Sequence, residues 1–406
     1  GEKMKKIWII APFTDVETLS SRNRFQYIAN MLNKDYEVHL FTSDFIHINK
    51  KYRDKKIKDF YPYKIHLIHE SGYKKNISFK RAFSHLLFTN NLKNEIKKLE
   101  KPDLVYCAYP LMTSAYFMGK FAKKNNIPFI IDIQDIWPES ISSGINTDNV
   151  FIKFLMYPFS LYANRVYRLA DFVFGVSQTY VDRAKVKKSL VKEFISVYIG
   201  AEGNKFENNT GIREKGDEEI WCTYVGTLSH SYDLMTLILA FNDLKEINSN
   251  IKLYILGDGP DFDILKNKAE ELGLLNKTIY LKGLLPYEEM IAYLKSSDIA
   301  LNSIKGKALQ TITNKFGDYM SAGLPLLNCC QSNEIINLIE ERELGLNYIP
   351  ENIDSLKERL FEILSDKNKI KIYSKNCKKF AEEKFDRKKS YKIIEEKIKE
   401  ILNNGV

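Results

Sequence analysis

The sequence predicts an α/β protein built from two doubly wound domains, and three observations carry that reading. Short apolar runs alternate with helices of 3.6-residue periodicity through the first half of the chain, and the same alternation starts again in the second. Between them, Ile199–Gly216 breaks the pattern with Gly, Asn and Glu residues. Length and composition agree: 406 residues suit two or three domains, and 44% hydrophobic residues are enough for real cores. We therefore expect domains over 4–200 and 201–385. A last helix over 386–402, apolar on one side through Tyr391, Ile394, Ile398, Ile401 and Leu402, is expected to pack back on the first domain.

In the first half, strands are expected at Ile7–Ala11, Val38–Thr42, Ile65–His69, Leu104–Ala108, Phe129–Ile133 and Phe172–Val176. The helix after the first strand shows Phe25, Ile28, Ala29 and Leu32 on one face. Ligands of such sheets sit at the carboxyl ends of the strands, so the loops Pro12–Arg24 and Gln134–Ser140 are expected to face one crevice. Two segments, Lys50–Tyr63 and Lys74–Phe88, interleave basic and aromatic residues as an anionic bilayer surface or single-stranded nucleic acid would require. Phe151–Ala170 is also aromatic-rich; Arg165, Arg168 and the strand that follows favour a packed helix.

The second half offers strands at Trp221–Val225, Ile251–Leu256, Thr278–Leu281 and Ile299–Asn302, the second ending in Gly257-Asp258-Gly259-Pro260. Ile304–Asn328 then reads as a polar loop, a short helix and a buried strand, with Asn314 as helix cap and Gly323 and Pro325 closing it. Amides feeding a helix N-terminus are a ready anion site, and Asp318 lies one turn in, at a distance suited to sugar hydroxyls.

The +9 net charge is uneven: 32 Lys and Arg face 19 Asp and Glu through residue 200, against 29 and 33 beyond it. A basic half suggests an anionic partner there. The five cysteines lack metal-ligand spacing, which favours buried thiols in a reducing compartment, and no apolar run is long enough to span a membrane. No Asp/Glu cluster reads as a metal site, and no nucleic-acid module is present, so neither a metal nor a nucleic acid is expected.

Several motifs, in this order and spacing, carry a resemblance. Tyr224-Val225-Gly226-Thr227-Leu228, Gly257-Asp258-Gly259-Pro260, Leu281-Lys282-Gly283-Leu284-Leu285-Pro286 and Asp318-Tyr319-Met320-Ser321-Ala322-Gly323-Leu324-Pro325 resemble the donor half of retaining GT-B glycosyltransferases of family 4. Asp132-Ile133-Gln134-Asp135-Ile136-Trp137-Pro138-Glu139-Ser140 resembles a stretch of the branch that builds surface polysaccharides. The resemblance implies a GT-B fold, two Rossmann-like domains facing a central cleft. It places Asp318 at the second position of the family's Glu-x7-Glu pair, which holds the ribose hydroxyls, and the neutral Gln310 at the first, near the donor sugar. It implies donor contacts from Gly226, Thr227, His230, Gly257, Gly283, Leu284, Leu285, Thr311 and Lys315. Thr227 and His230 fall where the family places an Arg and a Lys against the pyrophosphate, so Lys315, His230, Lys305 or Lys307 and the Thr311–Asn314 amides are the candidates for that charge. On the acceptor side it marks Gln134 and Asp135 as catalytic candidates, with Arg22 or Arg24 touching phosphate or an anionic acceptor.

The reading is a retaining, metal-independent hexosyl- or N-acetylhexosaminyltransferase needing no cofactor. Its donor is expected to be a nucleotide-sugar, a UDP-sugar by branch analogy, and its acceptor a lipid-linked surface glycan in capsule or O-antigen synthesis. It is expected in the cytoplasm, peripheral at the inner face of an anionic membrane. Because the usual cationic pair is missing, the alternative is a non-catalytic GT-B subunit that binds nucleotide or glycan.

Overall fold

The computed structural model describes residues 3–17, 23–75, 78–140, 150–212, 214–306, 312–330 and 332–404. The chain divides into two units: Ile199–Ser390 form one, and the described residues up to Tyr198 together with those from Tyr391 form the other.

The first unit is built on seven parallel strands, β1 (Lys6–Ile10), β2 (Glu37–Ser43), β3 (Lys64–Ile68), β4 (Leu104–Tyr109), β5 (Phe129–Ile133), β6 (Phe172–Gly175) and β7 (Glu193–Ser196), ordered β3-β2-β1-β4-β5-β6-β7. β1, β4, β5 and β6 are buried at every residue, as strands covered on both faces must be. The order reverses at β1, which lies between β2 and β4. A ligand crevice opens beyond the carboxyl ends at such a point. β7 lies outside the strands expected from sequence. Its Glu-Phe-Ile-Ser run is short and only partly buried, as an edge position allows.

Four helices of this unit matter below: α1 (Arg24–Leu32), α2 (Phe79–Ile96), α3 (Met112–Lys124) and α4 (Val150–Tyr167). Asn23 caps α1, its side chain accepting from the amides of Phe25 and Gln26. α2 and α4 both pack on α3. The packed helix expected over Phe151–Ala170 is corrected here. Only Ala163, Val166 and Tyr167 of α4 are buried, and Phe151, Phe154, Leu155, Tyr157 and Phe159 are exposed, Phe154 by 75%. Apolar residues ring this helix; Tyr162 packs against Tyr116 of α3 and Tyr167 against Tyr109 at the end of β4, which covers one stripe of them. The two basic aromatic segments each fold half inward. Arg53, Tyr63 and Phe88 are buried, while Tyr52, Phe60, Phe79, Phe83 and Leu86 remain exposed.

The second unit holds six parallel strands, β8 (Ile220–Val225), β9 (Ile251–Leu256), β10 (Ile279–Gly283), β11 (Ile299–Ser303), β12 (Leu326–Cys329) and β13 (Gly345–Asn347), ordered β10-β9-β8-β11-β12-β13. The reversal falls between β8 and β11. Helices α5 (Tyr287–Ser296) and α6 (Asn314–Ser321) flank it. The chain returns to the first unit at Tyr391, and α7 (Lys392–Asn404) sets Ile394, Ile398, Ile401 and Leu402 into that unit's core with Tyr27 edge-on to Tyr391. Each such side chain, once buried, contributes roughly 1.5–3 kcal/mol, so α7 is an integral strut of the first unit. Both units therefore carry the parallel, doubly wound α/β architecture.

Candidate active site

The residues singled out in the second unit gather at the carboxyl ends of β8, β9, β10 and β11. Their loops are stitched together by backbone bonds: Gly226 N to Leu256 O at 3.0 Å, Gly257 N to Gly283 O at 2.8 Å and Leu228 N to Asp258 O at 3.0 Å. Such close packing requires glycine. A Cβ on Gly257, whose φ is +148°, would lie 1.8 Å from Gly226 O. On this platform Thr227 and His230 are exposed, Gly226 and Leu285 half-buried, and Leu284 projects into solvent. Lys305 is half-buried, its amide bonded to Ser231 O at 3.0 Å.

α6 enters from β11 and is held by Tyr319, whose hydroxyl accepts from Val225 N at 2.8 Å and donates to Leu301 O at 2.9 Å. Thr313, not Asn314, is its N-cap, and no side chain closes the turn. Asn314 already has helical geometry and begins the helix proper. The first-turn amides thus lack a side-chain acceptor among the described residues, the state in which a helix N-terminus attracts an anion. Asp318 is buried one turn in, accepting from Tyr287 Oη at 2.9 Å.

Lys315 is 6% exposed. Its Nζ lies 4.4 Å above the Tyr224 ring and 4.3 Å above the Tyr232 ring, 3.4 Å from Tyr224 Oη. Among the described residues no carboxylate pairs with it. Burial alone pulls its ammonium down to about 7. A Cβ on Gly226 would sit 3.2 Å from that Nζ, so the ammonium lies directly beneath the loop after β8. Gln310, Thr311, Lys307 and Arg22 lie outside the described residues.

In the first unit, Asp135 is held by its own loop: its carboxylate accepts from Ile136 N at 2.8 Å and Trp137 Nε1 at 3.1 Å, and burial raises its pKa. Gln134 Nε2 donates to Asp132 Oδ1 at 3.0 Å. The expectation that Arg24 meets a phosphate is corrected. Arg24 is buried, Nε and Nη2 gripping the two oxygens of Asp132 at 2.7 and 3.1 Å while Nη1 donates to Val197 O at 2.7 Å. Tyr106 Oη completes that pair, donating to Asp132 at 2.6 Å. A guanidinium spent on three elements holds the unit together and has little left for a ligand.

Sequence reasoning missed Tyr287, Tyr224 and Tyr232. Tyr287 was legible in part, since a tyrosine directly after Pro286 at a strand-to-helix turn points towards the carboxyl end of the sheet. Nothing local marks Tyr224 and Tyr232 as a cradle for Lys315, because the three meet only through the β8–β11 crossing. Among the described residues no cluster of His, Cys, Asp or Glu could hold a metal ion.

Residues 205–383, the region carrying this platform, match the family described as "Glycosyl transferases group 1". An uncharacterized glycosyltransferase of Methanocaldococcus jannaschii is 27% identical over 255 residues, 59% of this chain and 60% of that one. An alpha-monoglucosyldiacylglycerol synthase of Streptococcus pneumoniae is 24% identical over 210 residues, 47% of this chain and 43% of that one. The chain thus matches less than two thirds of the length of either curated relative. The crystal structure of Anabaena Alr3699/HepE in complex with UDP superposes with a TM-score of 0.69 at 14% identity, covering 98% of this chain and 100% of that one. Taken with the two parallel sheets, these findings give the chain the two-domain GT-B fold, with residues 205–383 matching the glycosyl transferases group 1 family.

Proposed function

We propose that the protein is a retaining, metal-independent glycosyltransferase of the surface-polysaccharide branch of family 4, moving a sugar from UDP to a lipid-linked glycan. The observation that carries this is α6, which sets a buried lysine, without a carboxylate partner among the described residues, and a buried aspartate one turn apart beside the loop after β8. Asp318 and Tyr287 suit the ribose diol, and Lys315 with the α6 amides suits the diphosphate. The UDP complex of a GT-B neighbour supports the choice of uridine.

In the reaction, the acceptor oxygen bonds to the anomeric carbon on the face from which the diphosphate leaves. The carbon–oxygen bond to phosphate breaks, and the acceptor's hydroxyl proton passes to a phosphate oxygen of the departing UDP. Lys315 and the helix amides meet the charge that develops there. Gln310 is assigned to the donor sugar, and Asp135 and Gln134 to orienting the acceptor.

A peripheral place at the inner membrane face fits the helices α2, α3 and α4. They expose Phe79, Phe83, Leu86, Phe151 and Phe154, and their one acidic residue, Glu95, is far outnumbered by Lys and Arg. No helix among the described residues is long and apolar enough to cross a membrane. The curated relative that makes a glucosyldiacylglycerol supports a lipid acceptor.

The test is proton NMR of the products formed from UDP-α-glucose or UDP-α-N-acetylglucosamine with a bacterial lipid extract, with and without EDTA. The expected product keeps the α configuration and forms equally in EDTA. Inversion, a requirement for a divalent ion, or no turnover of any nucleotide-sugar would reject the reading, the last in favour of a non-catalytic subunit.

A further inference from the structure

Resting on that reading, we infer that the first unit holds a second anion site, formed by Arg81 and His85 of α2 with His47 and Lys50, which takes the phosphate of a lipid-phosphate acceptor. The four side chains surround an aromatic floor at the carboxyl end of the first sheet. Arg81 lies 4.6 Å above Trp137 and 5.4 Å above Tyr73, and Lys50 lies 4.7 Å above Tyr73 from the side of the β2 loop. His85 stacks on Trp137 with centroids 6.0 Å apart and lies 5.5 Å from Phe13; His47 lies 5.2 Å from Phe13 and bonds Tyr73 Oη through Nδ1.

The cluster calls for an anion. His85 is 6% exposed, and its Nε2 is buried with no hydrogen-bond partner. An imidazole nitrogen so placed costs free energy until a ligand meets it. Burial and the neighbouring cations hold both imidazoles in the neutral form, His47 at about 4 under Lys50 and Arg81, and His85 at about 3 under Arg81 and His47. The nearby carboxylates, Glu70 and Asp135, favour the charge of Arg81 from a distance and also accept from other groups. Glu70 accepts from the hydroxyls of Ser43 and Ser84, and Asp135 from Trp137 and Ile136.

α2 also states what the anion is attached to. Arg81 and His85, four residues apart, share its inward face, while Phe79, Phe83 and Leu86 occupy the outward face, Phe79 being 96% exposed. One helix thus presents a guanidinium and an imidazole at the sheet end and an apolar stripe to the surroundings, the two chemistries of a lipid phosphate. Trp137 follows Asp135 by two residues, so an acceptor held here has its sugar next to the residues assigned to orient it.

Farnesyl diphosphate, farnesol and inorganic pyrophosphate, titrated calorimetrically into the full chain in detergent under saturating UDP, test the site. Farnesyl diphosphate is expected to bind at least tenfold more tightly than either of the others. Arg81→Gln should weaken it about tenfold and His85→Gln several-fold, with UDP affinity unchanged. Farnesyl diphosphate binding no tighter than farnesol, or unaffected by Arg81→Gln, overturns the proposal. Equal binding of inorganic pyrophosphate overturns the lipid assignment. A variant that no longer binds UDP has lost its fold, and the three ligands on the wild-type chain then decide. UDP binding without farnesyl diphosphate binding sinks this site alone; the converse sinks the donor reading and leaves the anion site standing.

Discussion

Arg24 of the first unit and Lys315 of the second are both buried basic side chains, and the two are handled in opposite ways. Arg24 meets Asp132 with two parallel bonds and spends its third nitrogen on Val197 O. Burial disfavours its charge, but Asp132 more than offsets this, and its pKa ends up raised. Lys315 is as deeply buried, over two tyrosine rings, with no carboxylate among the described residues, and its pKa falls to about 7. A buried cation with its counter-ion built in stabilises the fold. A buried cation without one costs stability, and the cost is recovered when an anionic ligand arrives.

The largest expected effect breaks the first half of that contrast. Arg24→Met leaves Asp132 buried with a hydroxyl and an amide as its remaining partners. It should cost about 3–5 kcal/mol in urea unfolding. Binding of UDP by protein that remains folded should be unchanged. Next, Asp318→Ala removes a buried carboxylate acceptor from the proposed ribose site, and UDP affinity should fall about 10–100-fold in calorimetry. Smaller in energy and opposite in sign, Lys315→Met should stabilise the ligand-free protein by about 1–3 kcal/mol while weakening UDP at least about tenfold. Destabilisation with unchanged UDP binding would make Lys315 a structural residue like Arg24.

The smallest effect is on pH. Lys315 has a lowered folded value, so below pH 7 it is charged in both states and its burial penalty is present in full. As pH rises from about 7 towards its ordinary 10.5, the folded protein sheds the proton first, and this penalty fades. Ligand-free stability therefore gains from this group on the alkaline side. UDP binding moves the other way, because the diphosphate recruits a proton to Lys315. Affinity should fall about three- to tenfold between pH 7.5 and 8.5, with proton uptake seen as buffer-dependent binding enthalpy, and Lys315→Met should abolish both.

The fold was legible wherever apolar periodicity carried it: most strands of both sheets announce themselves as runs of buried aliphatic residues. The edge strands Glu193–Ser196 and Gly345–Asn347 did not, because a short edge strand buries too little to need such a run. α4 misled for the reverse reason. Its composition is that of a core helix, and only its place on α3 shows that most of its large apolar side chains are exposed, with Ala163, Val166 and Tyr167 buried. At the candidate site, Asp318 and Lys315 share one short helix whose stop at Gly323 and Pro325 is legible in sequence, while its cap falls one residue earlier than expected, at Thr313. The rings over Lys315 and the partner of Arg24 come from residues distant in sequence, and no local pattern specifies them.

The central claim is that α6 and the loops after β8, β9 and β10 bind a uridine diphosphate through Asp318. Calorimetric titration of UDP, GDP, ADP and CDP into the wild-type chain and into Asp318→Ala tests it most directly. The account predicts that UDP binds most tightly and that the substitution weakens it. Equal binding of all four nucleotides, no binding of any, or UDP binding that survives Asp318→Ala would contradict it.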